Sequence, residues 1–382
     1  MEISYTFSTP SGDLPVGPRE MKRAFMTGPQ KVHPFLTVGD YFDCLRDFLL
    51  KDNGSIIVPL SRRALKENDL KQEDISRLLI RSEKHGRLYH VSSIEIDTSE
   101  GPFKLALSAA LTEDARKCLF ADRDNLILLG GRGSLSYLPE VYACGESGVA
   151  RGKDSQTIGL LLSGWLDDFH EWHLSRAEAM EEPRISLWDT KRGFRFLERD
   201  EACEIFRKIS MILTLYFDPE TFYQVYPWHH SAGDFVVRTG ERIEVRLTTV
   251  RNYIPVIDVP VEKTLRPILS LIYFLFHMLL IIRIDRSDGV GEIVWAGPFS
   301  IKASLRGFFD ALSLHTGGRA YPAGSLEILS LLQSFSGDEL LNLHLSLLSY
   351  YSLDDTDEIS AVQTGLKDHV KELENIIRNF QI

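Results

Sequence analysis

Residues 76–111 read SRLLIRSEKHGRLYHVSSIEIDTSEGPFKLALSAAL, and how this stretch is parsed decides the fold. Three β-type runs stand at about 77–82, 87–97 and 102–109. Gly86 punctuates the first gap and Glu100-Gly101-Pro102 the second. Glycine and proline between such runs are hairpin signals, so the spacing predicts an antiparallel meander. Beyond it, Thr112 is placed to cap a helix, TEDARKCLFADRDNLILLG, which stops at Gly130-Gly131. A short strand over 138–144, a polar turn and an apolar strand over 158–166 (IGLLLSGWL) complete this region.

Composition bounds what the chain does. Of 382 residues, 44% are hydrophobic and 25% charged, so there is ample apolar material for a core. The length suits two or three domains, or one large bilobed unit. A net charge of −11 argues against nucleic-acid binding through a basic surface. The balance fits a soluble, cytoplasmic protein. Cys44, Cys118, Cys144 and Cys203 are far apart and form no CxxC pair, so they are expected to be reduced and mostly buried. The N-terminus has neither the basic nor the apolar region of a secretory signal. The most apolar stretch, PILSLIYFLFHMLLII at 267–282, contains His277 and falls short of the ~20 residues that span a bilayer. A helix buried on all sides is expected there, and no membrane association.

Residues 1–75 are expected to form an N-terminal extension. Five prolines before residue 35 suggest an irregular arm, followed by helices at about 38–51 and 61–68. After residue 166 the chain reads as mainly helical, with helices over 200–217, 264–284, 301–314, 325–350 and 357–380. The last alternates charges in the manner of a solvated terminal helix. Between the first two of these helices lies VYPWHHSAGDFVVR, 225–238, then a short hairpin formed by FVVR and RIEVRLTTV. IDRSDGVGEIVWAGP, 284–298, is a polar, glycine-rich connection of the kind that is often functional. His170 and His173 are spaced like metal ligands, but H-E-x-x-H is not met, and an aromatic cluster with Phe169 and Trp172 is the favoured role. Gly130-Gly131-Arg132-Gly133 follows a helix and precedes a strand, the reverse of a phosphate-binding loop.

The order of meander, helix, two strands, linker, long helix, loop with short hairpin and helical region resembles the protein-kinase-like superfamily, especially its aminoglycoside and choline phosphotransferase branch. The likeness covers about residues 76–350. It implies an α+β, bilobed fold: an extension over 1–75, a sheet-rich lobe over 76–166 and a helical lobe over 167–382. It also implies ATP and Mg²⁺ held between lobes, with a small-molecule or protein hydroxyl as acceptor.

That chemistry needs a cation on the third strand, a helix carboxylate to orient it, and acids on the loop and after the hairpin to hold metal. On this resemblance the nucleotide side is lined by Lys104, Ser108, Asp122 and the hinge residues Gly164 and Trp165. The family's lysine falls where Ser108 stands, and Lys104 shares its strand parity. Glu113 and Asp124 are the other candidate partners on that helix. Asp234 falls at the metal-binding position before Phe235-Val236-Val237, and His229 stands where the catalytic acid belongs. A carboxylate suits Mg²⁺ and an imidazole suits proton transfer. The competing reading is that Trp228 and His229 pack under the loop while Asp234 caps the hairpin. The second metal-binding acid is due near Thr248–Arg251, and none is there; the nearest is Asp258. The expectation is therefore a degenerate member, either an atypical phosphotransferase or a nucleotide-binding pseudokinase. The alternative is an interaction module that binds no nucleotide and uses Trp165, Trp172, Trp228 and Trp295 to hold a partner.

Overall fold

A computed structural model of the chain describes all residues except 10, 29–30, 55, 66–70, 87, 132–136, 177–181, 190–192, 227–230, 257–261, 263, 315–320 and 351–355. The side chains at 52–53, 63–65 and 349–350 are also outside the description. The protein is α+β and divides into two compact units. One comprises Met1–Leu128 and Pro139–Asp167; the other comprises Leu129–Leu138 and Asp168–Ile382.

The first unit contains β1 (Glu2–Phe7), β2 (Leu14–Pro15), β3 (Ala24–Gly28), β4 (Lys31–Thr37), α1 (Val38–Gly54) and α2 (Ile57–Leu65). It continues with β5 (Ile75–His85), β6 (His90–Thr98), β7 (Gly101–Ala110), α3 (Glu113–Gly130), β8 (Val141–Arg151) and β9 (Asp154–Gly164). Seven strands form one mixed sheet in the order β2-β1-β5-β6-β7-β9-β8. The meander is present: Ile80 lies opposite Ile94, and Ile94 opposite Leu105. Because side chains alternate along a strand, Leu78, Ile80, Ile94, Ile96, Leu105, Leu107, Ile158, Leu160 and Leu162 share one face. That face packs on Tyr41, Phe42, Leu45, Phe48 and Leu49 of α1 and Ile57 of α2 in a single core.

Two features differ from the sequence reading. The expected irregular arm supplies β1, which lies parallel to β5 with Ser4 opposite Leu79, and sends Ile3, Tyr5 and Phe7 against the core. Parallel pairing joins distant segments and leaves no local turn signal. The stretch read as a polar turn between the last two strands is itself paired. β8 and β9 meet at Gly152, whose φ of +63° suits a tight turn, and the polar residues are exposed positions of the sheet's outer strands. The Thr112 cap forms as expected, with the Ala115 N–H donating to Thr112 Oγ1 at 3.2 Å.

The second unit begins with β10 (Glu171–Ser175), β11 (Arg184–Asp189), β12 (Gly193–Phe196), α4 (Arg199–Leu215), β13 (Tyr223–Val225) and α5 (Ser231–Asp234). It continues with β14 (Phe235–Arg238), β15 (Glu244–Leu247), β16 (Tyr253–Pro255), α6 (Arg266–Ile281), β17 (Ile284–Arg286) and β18 (Ile293–Trp295). It ends with α7 (Phe299–Ser313), α8 (Ser325–Ser334), α9 (Gly337–Tyr350) and α10 (Thr356–Arg378). The expected helical lobe thus carries a three-stranded antiparallel sheet, β10-β11-β12, which the sequence reading missed. Its strands are only four to six residues long, too short for alternation to stand out.

The helices pack closely. α4 and α7 approach at Gly307, where a Cβ would meet the Arg207 carbonyl oxygen at 1.9 Å, so only glycine fits. Ser210 Oγ donates to the Ser304 carbonyl at 2.7 Å across the same contact. The apolar helix α6 is buried along its C-terminal two thirds, as its composition requires. The helix expected over 325–350 is two helices, parted at Phe335-Ser336, where Glu339 caps the second through the Ser336 N–H at 2.8 Å. Among the described residues no helix is long and apolar enough to cross a membrane. All four cysteines are free, but only Cys44 is buried, which corrects the expectation for the other three.

Candidate functional site

Asp234 is the C-terminal residue of the single-turn helix α5 and leads directly into β14. Its main-chain carbonyl accepts from the Thr248 N–H at 2.9 Å and from Thr248 Oγ1 at 3.0 Å, which fixes the turn to the far end of the β14–β15 hairpin. The side chain is 3% exposed. Both carboxylate oxygens are engaged by one guanidinium: Arg251 Nη2 donates to Oδ1 at 2.6 Å and Nη1 to Oδ2 at 3.1 Å. Such a two-pronged pair matches the planar fork of arginine and satisfies the carboxylate with charge and geometry together.

This pair bears on the expected metal. Arg251 lies in the stretch where the resemblance requires a second acid, and it places a fixed positive charge where Mg²⁺ would bring its own. Among the described residues no group of three or more His, Cys, Asp or Glu side chains is arranged to hold a metal ion. The residues present do not fit Mg²⁺ at Asp234. His229, expected as the base, lies outside the described residues, as do Trp228 and Asp258.

The remaining candidates belong to the first unit. Lys104 and Ser108 do share a face of β7, the one turned away from the α1 core. The Lys104 ammonium lies 3.7 Å from Glu83 and 4.0 Å above the Trp165 ring. Partial burial pulls its pKa down, while Glu83, Glu95 and Asp167 pull it up. Its carboxylate neighbours therefore come from the sheet and the end of β9. No acid of α3 is among them, so the lysine–helix pair implied by the resemblance is not made at Lys104. Gly164 closes β9, with its N–H on the Glu140 carbonyl at 2.9 Å.

The three candidate acids on α3 separate cleanly. Glu113 is an exposed partner of Lys117 at 2.7 Å, and Asp124 pairs with its neighbour Arg123 at 2.8 Å. Asp122 is 3% exposed and falls on the buried stripe Ala115, Leu119, Leu126 and Leu129. That stripe packs toward the sheet face bearing Ser108: a Cβ on Gly159, opposite Ala110, would touch Arg116 and Leu119. Spacing along α3 would have singled Asp122 out, since 115, 119, 122, 126 and 129 repeat every three or four residues.

Other polar clusters are satisfied internally. The buried Asp285 accepts from the Leu174 N–H at 2.8 Å, from His173 Nδ1 at 3.2 Å and from the Arg286 N–H at 2.8 Å. It thereby ties the glycine-rich connection to β10. Asp288 and Gly289 adopt φ of +54° and +78° there, and Gly289 lies so close to the His173 ring that a Cβ would meet it at 2.8 Å. His170 approaches Asp189 at 3.7 Å, so the two histidines serve different acids and not one metal. In the first unit Ser82 Oγ and His90 Nε2 are 2.8 Å apart, with His85 Nδ1 3.1 Å from His90 Nδ1. Burial and the neighbouring His85 push His90 down to about 3, which makes it a poor proton acceptor at neutral pH. This is a closed polar pocket and not an activated serine.

Of the tryptophans expected to face a partner, the three that are described are not exposed. Trp172 is fully buried, while Trp165 and Trp295 are partly covered. Trp188, overlooked in the sequence, is 42% exposed on β11 and lies directly opposite Phe194, 53% exposed, on β12. Compared with known proteins, the chain matches no family model and no curated protein.

Proposed function

We propose that this chain is a kinase-like pseudoenzyme that binds a nucleotide without requiring a divalent metal. The observation that carries the reading is the Asp234–Arg251 pair: the acid that the resemblance assigns to Mg²⁺ is buried and held on both oxygens by a guanidinium. An arginine there supplies fixed positive charge without the in-line metal clamp that phosphoryl transfer uses. Support for the kinase-like part comes from the sheet order β5-β6-β7-β9-β8 with α3 between β7 and β8, from the buried Asp122 on α3, and from the β14–β15 hairpin after Asp234. ATP is the nucleotide to test, and Lys104, Ser108, Gly164 and Trp165 are the contacts to vary. A thermal-shift series with ATP in EDTA is expected to raise the melting temperature as much as the same series with Mg²⁺. A shift seen only with Mg²⁺ would overturn the metal-free reading, and no shift with either would overturn nucleotide binding.

A second reading, a non-enzymatic interaction module, is favoured by Trp188 and Phe194, a cross-strand aromatic pair left in solvent. It predicts no response to any nucleotide and loss of a co-purifying partner in Trp188→Ala/Phe194→Ala.

A further inference from the structure

Among the described residues of the second unit, three imidazoles are buried. His277 on α6, His344 on α9 and His369 on α10 are 5%, 0% and 1% exposed. The His344 and His369 ring centroids are 5.3 Å apart, and the far side of His344 stacks on Phe276 at 5.2 Å. Two hydrogen bonds set the tautomers. His344 Nδ1 donates to the Leu340 carbonyl at 2.7 Å, which leaves its Nε2 a bare acceptor. Arg283 Nη1 donates to His369 Nδ1 at 3.0 Å, so the ring proton of His369 sits on Nε2. Neither Nε2 has a hydrogen-bond partner among the described residues.

Arg283, 3% exposed, is the hub of this corner. Its Nε and Nη2 donate to the Ala296 carbonyl at 3.1 and 2.8 Å, and Nη2 lies 2.8 Å from Glu372 Oε2. The guanidinium sits 5.5 Å from the Trp295 ring, and Gly365 on α10 lets that ring approach, since a Cβ there would meet it at 2.9 Å. The charged and titratable groups that bear on His369 are His344 from α9 and Arg283 from the short link between α6 and β17; Glu372 from α10 bears on Arg283. His344 in turn acts on His277, and Glu182 acts on Arg283. The carboxylate charge of Glu372 already answers Arg283. A proton added at His369 Nδ1 would turn the acceptor of the Arg283 bond into a second donor and set two cations in contact.

We infer that the Arg283–His369 contact is an acid-released latch: acidification frees α10 from Arg283 and β18, loosens it from α8 and α9, and uncovers its apolar stripe of Val362, Leu366, Val370, Leu373 and Ile377. Burial holds the imidazoles neutral, with His344 down to about 4, His277 down to about 3 and His369 also well below the ordinary value. Opening α10 returns His369 to water, where it takes up a proton near pH 6.5. Well below that pH the open population rises about tenfold per pH unit for each imidazole exposed.

Hydrogen–deuterium exchange of the full chain between pH 7.5 and 5, corrected for intrinsic rates, tests this. Protection of α10 is expected to fall at least tenfold per unit below pH 6 and to fall ahead of α4, which exchanges only when the whole unit opens. His369→Asn keeps an acceptor, Oδ1, near the position of Nδ1 and does not titrate, so its α10 profile is expected to be shallower. Equal pH dependence in His369→Asn and wild type would overturn the latch. Should that variant fail to fold, the wild-type profile alone decides, because α4 and α10 losing protection in parallel, or α10 losing none, would also overturn it.

Discussion

At the scale of single residues, the character of the site turns on what holds one carboxylate. Asp234 is almost fully enclosed, so an ionised side chain there needs a partner, and Arg251 supplies one in bidentate geometry. Removing one member of such a pair leaves the other charge stranded in a poorly solvated place. Arg251→Ala is expected to lower stability by about 3 kcal/mol, and Asp234→Asn by less because the amide still accepts from one prong. Urea denaturation of the three proteins checks this; an Arg251→Ala midpoint equal to wild type would show that the pair holds nothing together. Asp234 itself was legible in the sequence from its place before Phe235-Val236-Val237. Its partner was not, because Arg251 is 17 residues away and an arginine after a hairpin is an ordinary sight. Lys104 was legible as a strand cation, but which carboxylate would face it depended on the β5–β6–β7 register, which brings Glu83 and Glu95 beside it.

Elements with strong periodicity were read well, and short ones were not. The β5–β6–β7 meander and the helices α1, α3, α4, α6 and α10 carry apolar repeats long enough to fix their type. The strands β10–β12 escaped because they are too short for alternation to stand out, and the parallel strand β1 because its partner β5 is far away in sequence. The last helix looked solvated from its alternating charges, yet Val362, Leu366, His369, Val370, Leu373 and Ile377 form a buried stripe along it. Charge on the outer face masked the apolar spacing on the inner one. The α4–α7 contact offers a sharp test of element packing. In an exposed helix Gly→Ala would stabilise by about 1 kcal/mol. At Gly307 the methyl group would run into the Arg207 carbonyl, and forcing the two helices apart is expected to reverse the sign, at a net cost of about 1–3 kcal/mol. Calorimetric melting of Gly307→Ala checks this, since an unchanged or raised melting temperature would mean that the helices are free to separate.

For the molecule as a whole, buried histidines set the response to acid. His90 in the first unit and His277, His344 and His369 in the second all have values pushed below 6.5, chiefly by burial. The folded state then binds fewer of these protons than the unfolded chain. Their stabilising share is intact above pH 6.5 and is lost as pH falls below it toward the folded values. With three such groups the second unit is expected to lose about 4 kcal/mol per pH unit once well below 6.5, against about 1.4 for His90 in the first. Far-ultraviolet circular dichroism at graded pH, read beside proteolysis of each unit, would show the second unit yielding first. The proposed kinase-like reading concerns the same scale, and it rests on element order and on the pairing of Arg251 with Asp234, the acid the resemblance would assign to metal. The most direct test is calorimetric titration of the purified protein with ATP, once in EDTA and once in excess Mg²⁺. The account predicts saturable binding of equal affinity in both. Binding that appears only with Mg²⁺ would contradict it, for then Asp234 must leave Arg251 to hold the metal.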